Sequence, residues 1–173
     1  MNMLNHSNLE AEQLFLGAYD LYADAIFRYC YLRVYDRQLA EDLTQEVFIK
    51  TWTYLASGKT IENIRAFLYK VAVNKIIDNR RKKSVIWSDD IEKKQIPEIL
   101  DMTEKKLVDQ IEINTILKKL DLLEEKYKDI IILRYVDDLS PTEIAKILDI
   151  SPNVVSVRLN YAVKKFKKIV HKD

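Results

Sequence analysis

Two copies of the dipeptide Ser-Pro restrict the C-terminal third of the chain to one kind of local fold. They occupy positions 140–141 and 151–152, eleven residues apart, on either side of a short apolar segment. A serine hydroxyl caps a helix, and proline fits the first helical position, where its missing N–H costs nothing. Glu143 stands three residues after Ser140, which predicts a capping box. The pattern therefore predicts two helices, the first ending at Leu148, with a sharp corner between them.

That corner has the length of a helix-turn-helix, in which the second helix enters the major groove of DNA by its N-terminal end. Asp149 stands where such turns often have glycine, and aspartate tolerates the left-handed backbone region better than most residues. The inner side of the second helix is predicted to contain Val155, Leu159, Ala162 and Phe166. Its outward positions suit base edges and thymine methyl groups: Asn153, Val154, Ser156, Val157, Arg158 and Asn160. Four following lysines suit phosphates: Lys164, Lys165, Lys167 and Lys168.

Glycine and proline are scarce, with two glycines and three prolines in 173 residues. Little turn chemistry is available for a many-stranded sheet, while a hydrophobic content of 48% is enough to bury a core. We therefore predict an all-α protein. The chain has no run of about eighteen apolar residues and no signal peptide at its start, so a soluble, cytoplasmic protein without membrane insertion is expected.

Charge is unevenly placed, although 28 basic and 27 acidic residues nearly cancel. Residues 59–83 include eight Lys or Arg and two acids, and residues 158–172 include six Lys or Arg and no acid. A charged run is often only a solvated helix face. Two separate basic patches also fit a polyanionic partner such as nucleic acid.

Apolar residues at three- and four-residue spacing predict three long helices in the first half of the chain. The first has an inner side of Leu14, Ala18, Leu21, Ala25, Tyr29 and Leu32, with Tyr22 and Ile26 beside it. The second, over residues 37–55, has Ala40, Leu43, Val47 and Tyr54 inside, with Phe48 and Trp52 beside them. The third, over residues 62–83, has Ile64, Leu68, Val71, Ala72 and Ile76 inside. Three such helices form a compact bundle.

A change of pattern after residue 83 marks the predicted domain boundary. Residues 84–102 mix acids, lysines, a proline and isolated apolar residues without helical or strand period. Helical spacing resumes at Leu107, Ile111, Asn114, Leu117 and Leu120. We predict two helical domains, residues 12–84 and 107–173, joined by a flexible linker, residues 85–106.

Two polar faces stand out on the N-terminal helices. Asp42, Gln45 and Glu46 are spaced i, i+3 and i+4, so they share one acidic face of the second helix. The third helix has a stripe that combines cations, an amide and an aromatic ring: Phe67, Lys70, Asn74, Asp78 and Arg81. Such a stripe can hold single-stranded DNA by phosphate attraction and base stacking. The alternatives are a solvated acidic face and a Phe67 that belongs to the core.

At this point the chain resembles the bacterial sigma-70 family, specifically the small extracytoplasmic-function (ECF) sigma factors. The resemblance runs from about Leu14 to Phe166 and rests on three blocks. They are AEDLTQEVFIKTW, then RAFLYKVAVNKIIDNRRKK, then LEEKYKDIIILRYVDDLSPTEIAKILDISPNVVSVRLNYAVKKF.

The resemblance implies a division of labour. The helix with Asp42, Gln45 and Glu46 would bind core RNA polymerase at the clamp coiled coil of the beta-prime subunit, and the beta flap is a further expected contact. The helix from Phe67 to Arg81, including Arg80, would recognise and melt the promoter −10 element. A flipped base would bind beside residues 56–63, near Asn74. The second domain would bind the −35 element as duplex, the linker would thread polymerase channels, and an anti-sigma factor, in some cases at the membrane, is common in the family.

Two other function classes compete with this interpretation. A free-standing helix-turn-helix regulator with a helical dimerisation module accounts for the Ser-Pro pair but not for the stripe on the third helix. An enzyme would need a catalytic cluster, and the chain has only His6 and His171, both near its ends, and no glycine-rich nucleotide loop. Cys30 is the single cysteine, so no Cys/His zinc site is expected. We predict a non-enzymatic protein without a cofactor or metal.

Overall fold

The computed structural model of the chain describes residues 3–86 and 115–171. Within these ranges the regular structure is helical, and no strand occurs among the described residues. The all-α prediction is confirmed. The chain divides into two compact units. Residues 87–106 of the predicted linker, and the predicted helical positions Leu107, Ile111 and Asn114, lie outside the described residues.

The first unit is a bundle of three helices, α1 (Met3–Val34), α2 (Arg37–Ala56) and α3 (Ile64–Ile86). Asp36 caps α2, since its Oδ1 accepts from the N–H of Leu39 at 3.0 Å. At the start of α3, Asn63 Oδ1 accepts from the N–H of Ala66 at 2.9 Å. These short polar caps set where each helix begins. The shared core contains Ile26, Tyr29, Val47, Leu68, Tyr69 and Ile76.

The predicted inner side of α1 is partly wrong. Leu14 is 40% exposed and Leu21 is 74% exposed, whereas Ile26, predicted at the flank, is fully buried. The buried side advances in steps of four from Ala18 through Tyr22 to Ile26, where Tyr22 is half-buried. A set repeating every seven residues, such as Leu14 and Leu21, drifts around a straight α-helix. Those two leucines therefore lie away from the core.

The second unit contains a helical stretch over residues 115–120 and then α4 (Glu125–Ile131), which continues as a π-helical turn (Ile132–Val136). Two further helices follow, α5 (Pro141–Leu148) and α6 (Pro152–Val170). The buried ammonium of Lys128 forms an ion pair with Asp121. The core is aliphatic and draws on all these elements: Leu120, Ile130, Ile132, Leu133, Leu139, Ile144 and Val155.

The corner between α5 and α6 has the predicted helix-turn-helix construction. The N–H of Glu143 donates to Ser140 Oγ at 3.3 Å, and the N–H of Ser140 donates to Glu143 Oε2 at 2.8 Å, which completes the capping box. Asp149 adopts the left-handed conformation with φ of 55°. Ser151 caps α6 by accepting from the N–H of Val154 at 3.3 Å. The predicted end at Leu148 and the predicted caps are confirmed.

Replacing Ser140 by alanine is expected to destabilise α5 by about 1–2 kcal/mol, because both halves of the capping box depend on this residue. Native-state hydrogen exchange of the α5 amides measures the change. Ser151→Ala is the matched control, since Ser151 makes one cap bond at an exposed position. It should cost α6 about 0.5–1 kcal/mol. Equal protection of α5 in the wild type and Ser140→Ala would contradict the expectation.

Candidate nucleic-acid and partner-binding surfaces

The three predicted residues of the acidic face lie together on α2. Asp42, Gln45 and Glu46 are all exposed, on the side opposite the buried Leu43 and Val47. Glu46 forms an ion pair with Lys75 of α3. The pair ties the acidic face to the neighbouring helix and offsets part of its negative charge. The face itself remains open to solvent.

An apolar groove between α1 and α2 borders this acidic face. Its volume is about 470 Å³, and Gln45 and Glu12 stand among its apolar lining residues. Aromatic rings form its walls: the Phe15 and Trp52 centroids are 5.3 Å apart, and those of Tyr19 and Phe48 are 4.9 Å apart. The sequence pattern placed Phe48 and Trp52 beside the inner side of one helix. It missed the groove, because the groove forms only where two helices meet.

The predicted stripe on α3 is present. Lys70, Asn74, Asp78 and Arg81 are exposed along one side of the helix. Phe67 is half-buried, with its ring centroid 4.9 Å from that of Tyr54 on α2. A packed aromatic ring is held in one orientation, so Phe67 anchors the start of the stripe. The four exposed side chains form its accessible part.

Arg80 lies apart from this stripe. It is about 100° around the helix from Arg81, and its Nη2 donates to the carbonyl oxygen of Arg33 at 2.9 Å. Arg33 is in the last turn of α1, where carbonyl groups lack helical partners. The Arg80 guanidinium thus contacts the C-terminal end of α1, which the sequence could not indicate.

The connection between α2 and α3 is compact. Gly58 has φ of 78°, a conformation that favours glycine, and its N–H donates to the carbonyl of Leu55 at 2.9 Å. The ammonium of Lys59 lies 5.0 Å above the ring of Tyr54. Because Tyr54 also contacts Phe67, this connection, residues 57–63, rests on an aromatic pair. The pair is half-buried.

The outer side of α6 has the predicted composition. Asn153, Val154, Ser156, Val157 and Asn160 are exposed, and Arg158 is half-buried. The inner side contains the fully buried Val155 and Ala162, whereas Leu159 and Phe166 are half-buried. Lys164, Lys167 and Lys168 are exposed toward the C-terminal end.

Lys165 has a different position from its neighbours. Its ammonium lies 2.9 Å from Glu124 Oε1 and 5.5 Å above the ring of Tyr127. The hydrogen bond from Lys165 lowers the pKa of the Glu124 carboxyl below its ordinary value and raises the pKa of the Lys165 ammonium. Tyr161 packs on the same ring, with 4.8 Å between centroids. Lys165 therefore bridges α6 to the residue before α4, a contact between helices that the spacing of lysines did not reveal.

Two further surveys cover the described part of the chain. No helix there is both long and apolar enough to cross a membrane. Among residues 3–86 and 115–171, no group of three or more His, Cys, Asp or Glu side chains is arranged to hold a metal ion. Cys30 is buried in α1.

Family models match both units. Residues 18–85 match sigma-70 region 2, and residues 113–166 match sigma-70 region 4. Together the two matches cover more than half of the chain.

Similar proteins extend over most of the chain. The ECF RNA polymerase sigma factor SigW of Bacillus subtilis is 31% identical over 166 residues, covering 91% of this chain and 89% of that protein. RNA polymerase sigma factor SigV of Bacillus subtilis is 32% identical over 139 residues and covers 80% of both chains. These relatives share both units and the linker region.

Two solved structures share the fold. Sigma factor RpoE of Bartonella quintana, crystallised with the anti-sigma factor NepR, has a TM-score of 0.74 at 19% identity, covering 92% of this chain and 98% of that one. CnrH in complex with the cytosolic domain of CnrY has a TM-score of 0.70 at 16% identity, covering 98% and 96%. With both family regions in order and relatives matched over nearly their whole length, the chain belongs to the sigma-70 family, as an ECF sigma factor that directs promoter-specific transcription initiation by RNA polymerase.

Proposed function

We propose that the three functions of a sigma factor are assigned to separate surfaces of this chain. The acidic face of α2 binds core polymerase, the stripe on α3 binds the melted −10 element, and α6 binds the −35 element as duplex. The observation that supports this assignment is that one unit presents two chemically different surfaces, acidic and apolar on α1 and α2, polar and cationic on α3. A free-standing regulator has no use for both.

The polymerase-binding surface joins the acidic face to the apolar groove. Asp42 and Glu46 supply negative charge, and Gln45 stands where the face meets the groove. A basic coiled coil offers both matching chemistries, since its helices present cationic side chains beside apolar ones. This supports the clamp coiled coil of the beta-prime subunit as the partner, with the beta flap a separate contact.

Promoter melting is assigned to α3 and to the connection before it. Extruding a base costs a few kcal/mol, so the protein must replace the lost stacking and pairing. Lys70 and Arg81 are exposed to meet phosphates, and the amide of Asn74 can bond to a base edge. Phe67 and Tyr54 form the aromatic support beneath residues 57–63. Arg80, bonded to α1, acts by positioning α3.

Two further partners and properties follow from the family. An anti-sigma factor is proposed as an inhibitor of this chain, since the two similar solved structures were determined with CnrY and NepR bound. The protein is proposed to act in the cytoplasm, where promoters and polymerase meet, and to have no catalytic activity of its own.

Run-off transcription tests the proposed function directly. Core RNA polymerase and genomic DNA are incubated with and without the full chain, and the transcript starts are mapped. The chain should create a new set of start sites that share sequence elements about 10 and 35 base pairs upstream. Identical start sites with and without the chain would overturn the proposal.

Salt dependence tests the phosphate contacts of α6. Replacing Lys164 and Lys168 by glutamine should reduce the slope of log affinity against log salt by about two, because each phosphate contact contributes about 0.9 to the slope. The affinity of the holoenzyme for promoter duplex is measured between low and moderate salt. Lys165→Gln is the matched control and should change the slope less, because Lys165 is held by Glu124. A slope unchanged by the double variant would remove these lysines from the DNA surface.

A further inference from the structure

Two valines on the outer side of α6 are exposed. Val154 is 38% exposed and Val157 is 62% exposed, one helical turn apart on the same side. Val155, between them in sequence, is fully buried and belongs to the core. Valine is restricted at χ1 in a helix and gains nothing from burial where it is exposed. The folded unit therefore has no packing use for the two outer valines.

The polar neighbours of these valines limit what they can bind. Ser156 Oγ donates to the carbonyl of Pro152 at 3.1 Å, so its proton is used within the helix. Toward a ligand Ser156 is left with acceptor lone pairs. The amides of Asn153 and Asn160 are exposed on either side. The apolar contact on this surface is thus restricted to Val154 and Val157, framed by hydrogen-bonding groups.

The charge around this surface favours DNA over an apolar protein partner. Lys164, Lys167 and Lys168 are exposed on the same helix beyond it. Cations that frame a small apolar patch suit a duplex, in which phosphates flank the major groove. The apolar group that a base pair presents in that groove is the 5-methyl group of thymine.

Helix and duplex geometry decide how far apart the contacted bases lie. Three residues advance an α-helix by about 4.5 Å, and successive nucleotides of one strand are about 3.4 Å apart along the duplex. Two valines three residues apart therefore reach adjacent base pairs or pairs separated by one. They cannot reach thymines that are several pairs apart.

We propose that Val154 and Val157 contact thymine methyl groups in the −35 element, and that this element contains two thymines within three consecutive base pairs. The proposal rests on the proposed function, in which α6 binds the −35 duplex. It adds a specificity rule that hydrogen bonding alone would not impose. Thymine is distinguished there by its methyl group.

The first experiment finds the element. Holoenzyme assembled from core polymerase and the full chain transcribes a promoter library randomised around the −35 position, and the enriched templates are sequenced. Enrichment of two close thymines supports the proposal. An enriched −35 element without them overturns it and leaves the proposed function intact, whereas no upstream preference at all overturns both.

The second experiment tests the methyl contact itself. Each −35 thymine of the best template is replaced by deoxyuridine, which removes the methyl group and keeps the pairing. Loss of one buried methyl contact should lower initiation at limiting holoenzyme by about fourfold. In Val157→Ala or Val154→Ala, the same replacement at the contacted position should have no further effect.

Val136→Ala is the matched control, because Val136 is another exposed valine of this unit that lies before the helix-turn-helix. It should respond to deoxyuridine as the wild type does. Circular dichroism checks that all variants remain folded, as expected for substitutions at exposed positions. If deoxyuridine has no effect at any −35 thymine, or lowers initiation equally in the wild type and both α6 variants, the valines do not contact thymine.

Discussion

Replacing Asp42 by Asn, Gln45 by Ala and Glu46 by Gln together should weaken binding of core RNA polymerase by about 100-fold or more and abolish promoter-directed transcription. Removing one partner of a desolvated charge pair at an interface costs about 2–5 kcal/mol, and about 1.4 kcal/mol is a tenfold change in affinity. The triple variant removes two such charges. Titration of core polymerase with labelled chain measures the change.

Two controls separate this surface from fold stability. Lys75→Ala breaks the ion pair to Glu46 but leaves the acidic face unchanged, so it should retain polymerase binding. Glu41→Gln removes a nearby exposed acid that is paired with Arg37, and it should also bind normally. If the triple variant co-purifies with core polymerase as the wild type does, the polymerase-binding surface lies elsewhere.

Replacing Lys70 and Asn74 by alanine should lower initiation from a duplex promoter by about 10- to 100-fold. The variant loses a phosphate contact and a contact to a base edge, and a good base contact contributes about 1–3 kcal/mol. These contacts offset the cost of opening the strands. A template mismatched across the −10 element is already open, so it should restore most of the activity.

The mismatched template also provides the control for this second prediction. Lys164→Gln with Lys168→Gln weakens contacts to closed duplex on α6, so it should be rescued little by opening the −10 element. Run-off transcription on both templates measures the ratio for each variant. An equal loss for Lys70→Ala with Asn74→Ala on closed and open templates would show that α3 does not act in melting.

The helix-turn-helix could be predicted in detail because its determinants are local. Ser140 and Glu143 bond to each other within one helical turn, and Asp149 adopts its left-handed conformation within the corner. Interactions between residues three or four apart depend on the chain's own geometry, which periodicity and capping rules describe. For the same reason the stripe on α3 and the acidic face of α2 could be assigned from spacing.

Contacts between helices could not be predicted in this way. The ion pair of Glu46 with Lys75 joins residues 29 apart, the bond from Arg80 to Arg33 joins residues 47 apart, and the pair of Lys165 with Glu124 joins residues 41 apart. Each of these side chains has the same local pattern as an exposed neighbour. Only the packing of a second helix decides which of them is bound within the protein.

The sequence by itself therefore determined the helices, their caps and the chemistry of each exposed face, because these depend on neighbours within one turn. The tertiary structure alone decided which side of α1 is buried and where α1 and α2 form a groove. It also decided that Lys165 is held within the second unit while Lys164 is exposed. Burial depends on which distant elements come together, and one-dimensional spacing does not contain that information.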